Sequence, residues 1–445
     1  MKIKYLFLVY IFALTVFTSL TIILDIPGNY TQSHFIYPDA NSYMVAAKML
    51  YNQHFSVHYI RPIGWPVILG LPYLFDAAAS NQVLLTFSTL LNLLFWLGSI
   101  YYLYQIVLAL TNRKTAFYTT VIFIFLLSNI LLIYQSMTEG LFVFLLILFA
   151  YHYQRYTESK NSKYLIYCCL FMFYSAITRP ANYYPAIITL VLALVASRKQ
   201  LKHAITIVAL FALTIGLQCY LMQRTYDKPT VSFIKNHTAY YYLFARAEFL
   251  SEPAKWNNDY ERFYQQRESE TYALARQDSA LNQGKSVWPY LDKRYKENIS
   301  YNMKAHFPNV FLQLVYNIFE NSTTGSNLPG MLKNTSGNPA FEPVKSAIQS
   351  ITRYENIIMT LMIFINWAFL IPLVFNKNYR NNTTFRTILL LQLLCSYFLS
   401  TSGISYWQGD RFNYVFAPLT LIVSAYLIYQ RTNAKNRDTA RAVTA

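Results

Sequence analysis

The sequence predicts an all-α polytopic membrane protein with about ten (8–12) transmembrane helices, interfacial helices and one long, largely helical hydrophilic loop. Three observations predict it. Only 13% of the 445 residues are charged, about half the roughly 25% of a soluble domain. The apolar residues, 55% of the chain, come in long runs rather than in alternating patterns. The basic residues behind the net charge of +17 fall in short clusters between those runs. That placement is topological bias, not the continuous basic stripe of a nucleic-acid binder.

A bilayer core needs roughly 20 apolar residues per helix, with about 17 as a working minimum. Such spans lie near 5–24, 83–109, 115–134, 139–154, 164–178, 183–197, 204–222, 356–375, 387–402 and 412–429. The first follows Lys2 and Lys4. It ends at Asp25-Ile26-Pro27-Gly28-Asn29, which is not a small-residue cleavage site, so it reads as a retained signal anchor. With the N-terminus in the cytoplasm, the cytoplasmic pieces hold 17 Lys and Arg, and the short outer loops hold four: Lys48, Arg61, Arg179 and Arg411. This split orients the chain with both termini cytoplasmic. The heavy use of Lys, Asn, Ile and Tyr resembles bacterial surface-glycan proteins, so a bacterial inner membrane is expected. Cys168, Cys169, Cys219 and Cys395 all lie inside apolar spans and define no disulfide framework or metal spacing.

The expected organisation follows. Residues 1–222 form an N-terminal transmembrane module whose first outer loop is 25–82. Residues 223–355 form a long outer loop, 356–430 the C-terminal helices, and 431–445 a basic cytoplasmic tail. Two apolar stretches are too short to span. Phe307 to Phe319 (FPNVFLQLVYNIF) reads as an interfacial helix. Gly64 to Phe75, broken by Pro66 and Pro72, reads as a re-entrant or interfacial piece.

Four clusters at the outer span ends carry the candidate chemistry. They are Tyr37 to Tyr43 with Tyr59 to Pro66; Ser136-Met137-Thr138-Glu139-Gly140; Thr178-Arg179-Pro180; and Tyr406 to Tyr414. Each has an ordinary explanation. Asp39 and Glu139 suit helix first turns, Arg179 suits a snorkelling membrane edge, and Asp410 with Arg411 suits a local pair in an aromatic belt. Together they place acids Asp39, Glu139 and Asp410 and cations Arg61, Arg179 and Arg411 on one face at one depth. Ionisable groups near bilayer depth are costly and tend to be functional. Acid plus Arg equips a site for transfer from a phosphate-linked donor: the carboxylate takes a proton and the arginines hold the leaving phosphate.

These motifs (PDANSYMVAAKML, YIRPIGWPVILGLPYLF, SMTEGLF, ITRPANYYP and GDRFNYVFAPL) resemble the GT-C superfamily of membrane glycosyltransferases. The branch they resemble includes bacterial protein O-mannosyltransferase-like and lipid A aminoarabinose transferase-like enzymes. The resemblance covers residues 1–200 and roughly 385–430 and leaves 223–355 unmatched. It implies a polyprenyl-phosphate-linked sugar donor, loaded from the bilayer on the outer side, and a glycan, lipid or protein acceptor. It implies that Asp39 is the catalytic or metal-binding acid, with Glu139 beside it and Arg179 and Arg411 near the lipid phosphate. Tyr43, Arg61, Trp407 and Asp410 complete the expected substrate-binding set. A single acid at Asp39, rather than paired acids, leaves a divalent metal open. His34, His54 and His58 are scattered in the first loop and are weak candidates for its ligands. Only a short tail follows the last span, another departure from the family's pattern.

The expected activity is an inverting transfer to an outer-face hydroxyl with Asp as general base. A surface-polysaccharide polymerase is the first rival, but the acidic first loop fits it poorly. A lipid-linked-sugar flippase or transporter is the second. It would favour buried mid-span charge and Gly-broken helices, whereas the spans are nearly free of charge and only 12 glycines occur.

Overall fold

The computed structural model describes residues 3–31, 38–284, 286–380, 382–405 and 414–444. The described residues are helical almost throughout and contain no strand. In lipid, a helix satisfies every backbone group internally, so this is the architecture the apolar runs demand.

The expected spans fall on helix, residues 412 and 413 of the last lying outside the described residues. In chain order these are α1 (Ile3–Ile23), α2 (Pro38–Asn52) and α3 (Gly64–Leu69) of the first loop, α4 (Asn81–Leu110), α5 (Arg113–Phe125), α6 (Leu127–Ile133), α7 (Glu139–Ser159), α8 (Ser162–Thr178), α9 (Tyr183–Ala196) and α10 (Leu201–Tyr226). The long polar segment supplies α11 (Tyr260–Leu281), α12 (Trp288–Ala305) and α13 (Phe307–Thr323). The chain then re-enters the apolar bundle through α14 (Phe341–Phe375), α15 (Thr383–Ser402) and α16 (Ala417–Thr444). By length and composition, four described helices can cross a membrane, or five if α5 and α6 form one span, and three shorter helices are also apolar. Large apolar side chains such as Leu94, Leu192 and Phe364 are 58–62% exposed. In a polytopic membrane protein such surface faces lipid rather than water.

Side-chain caps start several helices. Asn112 accepts from the Thr115 N–H at 2.9 Å, Asn161 from Lys163 at 3.0 Å, and Asn382 from Thr384 at 2.9 Å. Each satisfies an amide that the first helical turn leaves without a partner. These three caps sit in the basic turns that the charge bias assigns to one side.

The structure changes the expected elements in two places. The span expected at 115–134 is broken: α5 and α6 meet at a 58° bend. Leu126 is extended there, and the N–H groups freed at Leu127 and Ser128 donate to the Glu355 carboxylate at 2.7 and 2.9 Å, joined by the Ser128 hydroxyl at 2.7 Å. A carboxylate at a helix start is favourable, and here it comes from 228 residues away. Second, the shift from polar to apolar sequence at 355 falls inside α14, one unbroken helix of 35 residues.

The polar segment builds its own apolar cluster from Tyr240, Phe244, Phe263, Tyr264, Leu291 and Tyr295. Beside it, α13 is an amphipathic helix turned inside out. Phe307, Phe311, Leu312, Val315 and Phe319 are exposed, while Gln313, Asn317 and Asn321 are buried. Its apolar face suits the membrane interface expected of 307–319. Its buried amides grip the end of α15. Asn317 donates to the Tyr242 and Gly403 carbonyls at 3.0 and 2.9 Å, and Asn321 donates to Ser402 and Ser405, each at 2.9 Å.

The Gly64 to Phe75 piece is α3 followed by a 3₁₀ turn over Leu71–Leu74. Trp65 is fully buried, whereas Phe75 is 91% exposed. Gly64 is required by close approach: a Cβ there would lie 2.6 Å from the Ile177 carbonyl oxygen. This contact locks the first loop against the end of α8, where Arg179 follows.

Candidate active site

The first loop delivers one acid–arginine pair. Asp39 stands in the first turn of α2, and Arg61 arrives from the strand-less segment before α3. Arg61 Nη2 donates to Asp39 Oδ1 at 2.6 Å, and its Nε donates to the Ser42 hydroxyl at 2.7 Å. Its guanidinium lies over the Tyr43 ring, 4.6 Å from the ring centre. Ser42 and Tyr43 follow Asp39 on the same helix, so α2 alone holds the arginine by three kinds of contact.

The ends of α7 and α8 deliver the second pair. Glu139 opens α7 and Arg179 caps α8, with Arg179 Nη1 3.6 Å from Glu139 Oε1. The Thr138 hydroxyl donates to Glu139 Oε2 at 3.2 Å, and the Arg179 guanidinium lies 5.7 Å from the Phe142 ring centre. The two pairs differ in access. The Asp39 side chain is 37% exposed and that of Glu139 only 2%, while Arg61 and Arg179 are 10% and 12% exposed. A buried charge needs its partner, and an accessible one can meet a substrate.

Both pairs line one cavity of about 990 Å³, within the range of roughly 300–1,000 Å³ usual for ligand pockets. The structure thus brings together five of the eight residues singled out in the sequence: Asp39, Glu139, Tyr43, Arg61 and Arg179. Trp407, Asp410 and Arg411 lie outside the described residues. Ile404 and Ser405, just before them in the chain, line the cavity.

The opposite wall was not foreseen residue by residue. It comes from the long polar segment, including Lys235, His237, Tyr272 and Trp288. Tyr59 stacks between His58 and Trp288, with ring centres 4.6 and 3.7 Å apart, and so ties the first loop to α12. Burial and then the nearby Arg61 push the His58 pKa down to about 4, so its ring is neutral near pH 7. The His58 Nδ1 accepts from the Ile60 N–H at 3.3 Å. The aromatic richness of 223–355 was the available signal; which rings face the cavity needed the fold.

Among the described residues, no group of three His, Cys, Asp or Glu stands close enough to hold a metal ion. His54 and His58 do not gather with Asp39, and His34 lies outside the described residues. Asp39 and Glu139 each engage an arginine instead.

The fold and site together define an all-helical polytopic membrane protein with a large cavity furnished with acid–arginine pairs and aromatic rings. No family model matches the sequence, and no curated protein is similar to it. Among solved structures, the fold is similar to ArnT from Cupriavidus metallidurans bound to undecaprenyl phosphate, with a TM-score of 0.40 and 10% identity over 96% of this chain and 78% of that one. It is likewise similar to apo ArnT from the same organism, with a TM-score of 0.37 and 12% identity over 93% and 77% of the two chains.

Proposed function

We propose that this protein is a membrane glycosyltransferase that moves a sugar from a polyprenyl phosphate to a hydroxyl of an acceptor, with inversion at the anomeric carbon. The observation that carries this reading is the shared cavity with its two acid–arginine pairs of unequal exposure. The motif resemblance to the GT-C superfamily agrees with it.

In the proposed reaction, the accessible Asp39 carboxylate accepts the acceptor's hydroxyl proton. The oxygen forms its bond to the anomeric carbon as the bond from that carbon to the phosphate oxygen breaks. The electron pair of that bond leaves with the polyprenyl phosphate. Attack from the face opposite the leaving group inverts the centre. Arg61 holds the Asp39 carboxylate in place before substrate arrives. Glu139, sealed at 2% exposure, acts on Arg179 rather than on substrate. Arg179, and Arg411 by resemblance, would hold the phosphate. A guanidinium has five N–H donors, so an ion pair and a phosphate contact are compatible. Tyr43 positions Arg61, and Trp407 and Asp410 keep the substrate-binding roles expected of them from the sequence. A phosphate leaves without a protonating acid, so one base suffices.

On this reading the cavity opens on the outer side of a bacterial inner membrane, with both termini cytoplasmic, supported by the split of 17 against 4 basic residues. The test is transfer by purified protein in lipid discs: Asp39→Asn abolishes it while undecaprenyl phosphate still binds. Full transfer by that variant would remove the central role of Asp39.

A further inference from the structure

Two helices outside the apolar bundle each turn one face onto the cavity. On α11 the lining residues are Gln265, Glu268, Ser269 and Tyr272. On α12 they are Trp288, Leu291, Asp292 and Tyr295. Both sets follow the spacing i, i+3, i+4, i+7, which is a single stripe along an α-helix. Neither stripe belongs to the acid–arginine pairs, and both lie in the segment that the sequence resemblance leaves unmatched.

The stripes combine flat aromatic surface with fixed polar groups. Trp288 is held by its stack on Tyr59. Asp292 accepts from Lys228 and Asn236, each at 2.5 Å. Glu268 accepts from the Tyr264 hydroxyl at 2.9 Å and lies 3.7 Å from the His237 ring. Both carboxylates are thus already engaged by the protein's own donors, Asp292 by an ammonium and an amide and Glu268 by a phenol, and are fixed in place rather than left to gather a cation. Rings that offer C–H contact, beside amide, hydroxyl and carboxylate groups, match a neutral polyhydroxylated ring.

We propose that the α11 and α12 stripes form the acceptor subsite, and that it takes a neutral saccharide. This rests on the transferase reading above. The saccharide could be the headgroup of a glycolipid or part of a free or surface glycan; the chemistry of recognition is shared.

The test uses the full chain in lipid discs and three probes: undecaprenyl phosphate, a panel of neutral tetrasaccharides built on glucose, mannose, galactose and N-acetylglucosamine, and discs doped with a monoglycosyl diacylglycerol. Tyr272→Ala and the exposed Gln265→Ala are compared with the wild type, with thermal unfolding as the fold control. The expected result is saccharide binding weakened at least tenfold in both variants, with undecaprenyl phosphate binding unchanged within twofold. Loss seen with free tetrasaccharide supports a glycan acceptor, and loss seen only with doped discs supports a glycolipid. Variants that bind saccharide as the wild type does would overturn the subsite. So would a wild type that binds undecaprenyl phosphate but no saccharide, or one that binds a Ser-containing peptide library in place of saccharide. A wild type that fails to bind undecaprenyl phosphate strikes the transferase reading itself.

Discussion

Asp39→Asn and Glu139→Gln remove the same kind of charge from the same cavity, and the structure predicts opposite consequences. Asp39 is 37% exposed, so its ion pair with Arg61 is screened. Asparagine keeps an acceptor oxygen for Arg61, and Ser42 and Tyr43 still hold the guanidinium. Arg61 is itself only 10% exposed, so the stability cost, limited by these remaining contacts, is about 1–2 kcal/mol. The chemical cost is large, because general-base help is worth roughly 10²–10⁴-fold in rate. Glu139 is 2% exposed and Arg179 12% exposed, so removing the carboxylate leaves a cation with little water. Breaking such a pair costs about 3–5 kcal/mol. Glutamine can still accept from Arg179, so about 2–3 kcal/mol is expected. Activity should fall less than in Asp39→Asn, since on this reading Glu139 acts through Arg179. The assay pairs thermal unfolding in detergent with consumption of a purified polyprenyl-phosphate sugar. Asp39→Asn should unfold only modestly below the wild-type temperature yet lose at least a hundredfold in rate. Glu139→Gln should unfold clearly earlier. If Asp39→Asn retains transfer within threefold of wild type, or if Glu139→Gln is as stable as wild type, the division of roles by exposure is wrong.

Three further outcomes follow from local geometry. Glu355→Ala removes the cap that the bent α5–α6 pair depends on and should cost about 1–2 kcal/mol, read as a lower unfolding midpoint; an unchanged midpoint would mean that the bend holds itself. Asn321→Leu removes the amide donations to the Ser402 and Ser405 carbonyls, the former keeping the Ser405 N–H, and should destabilise by about 1–2 kcal/mol, checked by the same unfolding measurement. His58 has its pKa lowered from 6.5 to about 4 in the folded protein. The unfolded chain therefore takes up this proton first as pH falls. The stability His58 allows is complete above about pH 6.5 and is lost between there and about pH 4. His58→Gln should flatten that acid limb in unfolding midpoints measured from pH 4 to 7, and an identical limb would show that other groups set it.

Much of this site could be read in the sequence because its parts are local. Asp39 and Glu139 sit where helices begin, and Arg179 sits where one ends. The length of the apolar runs and the placement of Lys and Arg gave the helices and their order. The apolar stretch 307–319, too short to span, read as an interfacial helix, and the structure puts its aromatic and aliphatic side chains outward. What could not be read is long-range. No Pro or Gly in 115–134 announces the break at Leu126, because the group that sustains it, Glu355, is remote in the chain. The acids and arginines were visible as a set, but the pairing of Asp39 with Arg61 and of Glu139 with Arg179 is a product of packing. The helical spacing on α11 and α12 is visible in retrospect. Spacing alone does not say which face of a helix meets a cavity.

The central claim is that this protein consumes a sugar carried on a polyprenyl monophosphate. It is tested most directly by mass spectrometry of polyprenyl lipids from cells with and without the protein. The account predicts that deletion accumulates a single sugar on a polyprenyl monophosphate, whose mass gives the sugar class, and that the Asp39→Asn variant fails to clear it. Accumulation of oligosaccharide repeats on a pyrophosphate would instead make the protein a polymerase, and an unchanged lipid pool would contradict the transferase account.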